Sequence, residues 1–74
     1  MDRDDRGSSQ ADRPILECRR IGTVLRVTAI DPATGTEVVI QGPTIHGPRA
    51  LEHLALRKLA WALDRAADRE RNLS

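Results

Sequence analysis

From residue 15 onward apolar and polar residues alternate along the chain with a period of two, and from residue 49 with the period of a helix. In "ILECRRI", Leu16 and Cys18 alternate with Glu17 and Arg19. In "TVLRVTAI", Leu25, Val27 and Ala29 alternate with Arg26 and Thr28, and in "TEVVIQG" Val38 and Ile40 alternate with Glu37 and Gln41. Alternation rich in β-branched residues predicts three half-buried strands.

The turns fix how these strands pair. Gly22-Thr23 suits a two-residue turn of type II′, with glycine first. Ile21 then faces Val24, Cys18 faces Val27 and Leu16 faces Ala29. In "DPATGT" proline fits a φ near −65° and Gly35 a positive φ. Closing that turn between Asp31 and Thr36 sets Ala29 opposite Val38 and Val27 opposite Ile40. Both turns put the same residues on one face, whereas a slip of one residue would invert a strand. The pattern predicts a three-stranded antiparallel meander with the second strand central. Leu16 and Cys18 are expected in its core.

"GPTIHGP" reads as the connection into a helix, with Gly47 as N-cap and Pro48 at the first helical position. A phosphate cradle would need a Lys-Ser/Thr pair, which the chain lacks. Between residues 49 and about 69, Leu51, Ala55, Leu59, Ala62 and Ala66 form one apolar stripe, widened by Leu56 and Leu63. His53, Arg57, Asp64 and Asp68 fall on the solvent edge. Leu54 and Trp61 lie one heptad apart and off the stripe, Trp61 about 100° from its centre. The expected fold class is α+β: the three-stranded meander followed by one C-terminal helix packed on one face (βββα).

Composition narrows the picture further. The first fourteen residues, "MDRDDRGSSQADRP", hold only Met1 and Ala11 as apolar residues, too few to offset the entropy of ordering. Residues 1–14 are therefore expected to be a disordered leader, and residues 15–71 a single βββα domain. No apolar h-region follows the leading charges and no run is long enough to span a membrane. With a single cysteine and no disulfide, a cytoplasmic location is expected. Net charge is +1, so electrostatics give no argument for nucleic acid.

The runs "ECRRIGTVLRVTAIDPATGTEVVIQGP" and "LEHLALRKLAWAL" resemble a small family of alpha-proteobacterial proteins of unknown function. The resemblance spans roughly residues 15–63 and is most specific in "AIDPATGTEV" and "LALRKL". It departs from the family pattern at Cys18, where an aromatic is usual, and at Ala60-Trp61, where Glu-Tyr is usual. Members are sometimes mislabelled serine hydroxymethyltransferase. A pyridoxal-phosphate enzyme of that kind needs a large fold, phosphate ligands and a Schiff-base lysine in context, and Lys58 on a short helix has none of these. What the resemblance implies is a shared fold, with no catalytic residue and no cofactor.

Candidate chemistry is sparse. Cys18 on a core face acts as a small hydrophobe, and no base and third orienting group accompany it. His46 and His53 match no strong zinc spacing. No catalytic, cofactor or metal residue is therefore expected. Arg19 and Arg26 should face each other on the outer sheet face, where like charges destabilise by some tenths of a kcal/mol unless a neighbour such as Glu17 offsets them.

The expected function is a small non-enzymatic interaction module, a homodimer, whose partner is itself or another protein and not a membrane. A second copy would complete a core of about 55 ordered residues, which is thin for an isolated domain. The contact is expected on the helix flank bearing Leu54 and Trp61 or on the outer sheet face, where Ile15, Ile21, Val24, Ile30 and Val39 lie. The alternative is nucleic-acid or anion binding through Arg19, Arg20 and Arg26, against which no outward aromatic is available to stack a base.

Overall fold

The computed structural model describes residues 13–73. The expected leader, residues 1–14, lies outside the described residues except for Arg13 and Pro14, which are exposed. Three strands follow in chain order, β1 (Ile15–Ile21), β2 (Val24–Ile30) and β3 (Glu37–Pro43). They form one antiparallel sheet in the order β1-β2-β3. A 3-10 turn over Thr44–His46 leads to helix α1, Pro48–Leu73. The βββα architecture is the one the alternation predicts.

Register follows the turns. Ile21 pairs with Val24, Cys18 with Val27 and Leu16 with Ala29; across the second hairpin Ala29 pairs with Val38 and Val27 with Ile40. Gly22 has φ 62° and no non-glycine residue among those described has positive φ, the combination a type II′ turn requires. In the second turn the Asp31 carboxylate accepts from Thr34 N at 3.1 Å and from Thr34 Oγ1 at 2.7 Å. Asp31 N donates to Thr36 O and Gly35 N donates to Asp31 O, both at 2.8 Å. These bonds leave Gly35 at φ 76°, where a Cβ clashes with the backbone. Gly35→Val is therefore expected to cost more than ~1 kcal/mol, read as a lower urea midpoint at an unchanged m-value.

The core is small. Leu25, Val27 and Ala29 of β2, Val38 of β3, and Leu51, Ala55 and Leu59 of α1 are buried, with Ile40, Ala62 and Leu63 packed around them. No residue of β1 is buried. This corrects the expectation for Cys18 and Leu16, both of which are exposed. Strand parity places them on the helix side of the sheet, but coverage does not reach them. Strands repeat every ~4.8 Å, and a helix is roughly 10 Å across. One helix therefore roofs about two strands, and α1 packs on β2 and β3.

The helix is also longer than the sheet. Its 26 residues span ~39 Å, against ~23 Å for seven-residue strands. Ala66, expected on the buried stripe, is consequently exposed, as are Ala67 and the described residues after it up to Asn72. β3 runs one residue further than the alternation indicates, ending at Pro43. Pro43 faces Val24 at a position whose N would point to the free edge, so its missing N–H breaks no ladder bond.

Candidate functional site

Two surfaces carry the residues singled out by the sequence. The first is a flank of α1. Lys58 Nζ donates to the main-chain oxygen of Val39 at 3.3 Å, which turns this flank of the helix over the outer edge of β3. Leu54 and Trp61 share the Lys58 side of the helical wheel. They stand 47% and 58% exposed respectively. The connection after β3 does not cover Trp61. The Arg65 guanidinium instead stacks on its ring, 4.7 Å from the centroid, an exposed cation–π contact of about 0.5–1 kcal/mol. One turn further on, Arg71 and Asp68 form an exposed ion pair on the same helix.

The second surface is the sheet face turned away from the helix. Successive rows across it read Ile21–Val24–Pro43, Arg19–Arg26–Gln41, Glu17–Thr28–Val39 and Ile15–Ile30–Glu37. Arg19 and Arg26 are directly opposite one another, as the register predicts. They line a shallow groove of about 250 Å³ together with Glu17, Ile21 and Thr28. Glu17 shares the groove with them without standing at ion-pair distance from either. Arg20 does not belong with them. It pairs with the buried Leu25, so it lies on the helix side of the sheet, and its Nε donates to Gly22 O at 3.2 Å. The anion surface considered from sequence therefore reduces to Arg19 and Arg26.

The backbone adds a feature that side-chain patterns do not show. In an antiparallel ladder each residue's N–H and C=O point either to the paired strand or away from it, in alternation. The two-residue turn makes Ile21 and Val24 a hydrogen-bonded pair, so Leu16, Cys18 and Arg20 direct their N–H and C=O outward from the β1 edge. The bonds Asp31 N to Thr36 O and Thr44 N to Thr23 O fix the opposite parity on β3. There Glu37, Val39 and Gln41 face outward. The β3 edge is closed by Lys58 on Val39 O and ends in Pro43, two devices that discourage further strand pairing. On the β1 edge Pro14 stands just before the first strand residue, but among the described residues no side chain is seen bonded to an outward carbonyl, and all seven of its residues are exposed.

Among the described residues no group of three or more His, Cys, Asp and Glu could hold a metal ion, and no helix is long and apolar enough to cross a membrane. A larger hollow, of about 380 Å³, lies along one side of α1 between Arg65, Asp68, Arg69 and Asn72, with no wall from the sheet. Comparison with the curated proteins and with the solved structures finds no match. A family model described as a domain of unknown function, DUF6898, matches residues 12–66, and the chain belongs to that family.

Proposed function

We infer that this chain is a small non-enzymatic interaction module that acts as a homodimer. The observation that carries this reading is the disproportion, among the described residues, between a core of seven buried residues and a whole strand, β1, left exposed on both faces. Ile15, Leu16, Ile21, Val24, Leu54 and Trp61 add large apolar side chains to the open surface. A second copy supplies the missing cover, and the β3-side flank with Leu54 and Trp61 is the remaining surface for a protein partner. An exposed, unpaired Cys18 suits a reducing cytoplasm. Kinship with alpha-proteobacterial proteins belongs to the same proposal. The transferase label some of them carry has no support in the chain's single lysine, which donates to a main-chain carbonyl.

Sedimentation of the full chain from low to high micromolar concentration tests this reading. A monomer–dimer equilibrium is expected, and a strict monomer at high micromolar concentration would overturn it. Trp61→Glu is expected to keep both the fold and the dimer, because Trp61 is largely exposed and lies on the flank beside β3, away from β1.

A second reading draws on the Arg19–Arg26 pair, two arginines opposite one another that line one groove with no acidic group at ion-pair distance. Such a pair suits a phosphate. Two phosphate contacts give a log–log salt slope of only about −2. The expected result is no nucleic-acid binding at physiological salt. Submicromolar binding there, abolished by Arg19→Gln with Arg26→Gln, would put this reading first.

A further inference from the structure

We propose that the homodimer forms by antiparallel pairing of β1 with β1 of a second copy, centred on Cys18, to give a continuous six-stranded sheet. The proposal rests on the homodimer reading above and names its interface. Of the two sheet edges, β3 has an outward carbonyl taken by Lys58 and ends in Pro43, while β1 presents the outward N–H and C=O groups of Leu16, Cys18 and Arg20 along a strand with no buried residue. An edge of this length is a template for another strand wherever its charges meet complementary ones.

The side chains say which strand. With Cys18 opposite Cys18 of the second copy, Glu17 falls opposite Arg19 of that copy, and Arg19 opposite its Glu17. Ile15 falls opposite Ile21, and the reverse. Both sets lie on the outer face, at the non-hydrogen-bonded positions where cross-strand side chains approach closest. Sliding one strand by two residues in either direction puts Glu17 against Glu17 or Arg19 against Arg19. Charge complementarity thus selects one register and a two-fold symmetric partner of the same sequence. It also adds the second copy's Glu17 carboxylate directly opposite Arg19, beside the groove the two arginines share with their own Glu17. The Leu54–Trp61 flank sits on the β3 side, so dimerisation leaves it open.

The test uses the full chain and charge reversal at two exposed positions. Glu17→Arg alone and Arg19→Glu alone each set like charges across both symmetric contacts. Each is expected to weaken self-association by roughly tenfold or more. Mixing the two single variants restores opposite charges at both contacts, and heterodimers are expected at close to wild-type affinity. Circular dichroism checks that each variant stays folded. Cys18 gives an independent readout: hydrogen-bonded antiparallel partners stand about 5.5 Å apart at Cα, within disulfide range. Diamide, which accepts the two thiol hydrogens, is expected to convert the dimer to a covalent one through Cys18, at a rate that Glu17→Arg suppresses.

A wild-type dimer indifferent to both reversals, or single variants that stay monomeric when mixed, would overturn the β1 pairing and leave the homodimer reading standing. Dimerisation abolished by Trp61→Glu would move the interface to the helix flank. A dimer that needs added inorganic phosphate and is strengthened by Glu17→Arg would mean an anion bridge between arginines, which also overturns the pairing. A strictly monomeric wild type sinks both claims together.

Discussion

Replacing Leu59 with Ala is expected to lower the stability of the domain by about 3 kcal/mol and to leave a large fraction of the chain unfolded at 37 °C. Leu59 is 1% exposed and with Val27 is one of the two largest fully buried side chains. Its loss removes transfer energy and opens a cavity that neighbours fixed in two secondary-structure layers cannot fill. In a larger protein that loss would be absorbed. Here the buried set among the described residues has seven members, and a domain with so few holds only a few kcal/mol in reserve. Thermal unfolding followed by far-ultraviolet circular dichroism measures the effect. Ala66→Gly, on the overhanging part of the helix, provides the contrast, with a cost limited to helix propensity of ~1 kcal/mol.

The second large effect comes from adding atoms. A Cβ at Gly42 would stand 2.8 Å from Leu51 Cδ2 and 3.4 Å from Cδ1. Leu51 is 5% exposed and therefore has little room to yield. Gly42 lies in β3 opposite Leu25 and does not have positive φ, so the penalty is one of packing and not of backbone strain. Gly42→Val is expected to destabilise by about 2 kcal/mol or more, even though valine is the better strand former. Combining it with Leu51→Ala vacates the contested space. The two changes together should then destabilise by less than the sum of their separate effects, a coupling read from a double-mutant cycle of urea midpoints.

The turn chemistry made most of the sheet legible beforehand. Glycine first in Gly22-Thr23 and the Asp-Pro-Ala-Thr-Gly-Thr loop each admit one register that keeps apolar residues together, and that register is the one observed. Pro48 marks the helix start for the equally local reason that its ring suits the first turn. What the pattern does not carry is coverage. Alternation says which face Cys18 and Leu16 are on, but whether a roof extends over them depends on helix width against strand spacing, a relation between elements distant in sequence. Ala66 is the same case along the helix axis, where the apolar period outlasts the sheet beneath it. Gly42 illustrates a third limit. Beside Pro43 it looks like turn punctuation, and its role as a seat for Leu51 depends on a contact nine residues away in the chain. Among the candidate surface residues, the Arg19–Arg26 juxtaposition was legible from register alone. The misassignment of Arg20 to the same patch came from grouping neighbours in sequence where parity separates them. The difference between the two sheet edges was not legible, because it turns on Lys58 reaching a carbonyl of β3.

Backbone amide exchange reads the difference between the two edges most directly. Leu16, Cys18 and Arg20 send their N–H groups out from β1, as Glu37, Val39 and Gln41 do from β3, and a lone chain exposes both sets to solvent. Measured at low and at high micromolar concentration, the amides of Leu16, Cys18 and Arg20 should become protected as concentration rises, while those of Glu37, Val39 and Gln41 continue to exchange fast. Protection that rises on the β3 set instead, or on neither set while the chain is dimeric, would contradict β1 as the edge that joins two copies.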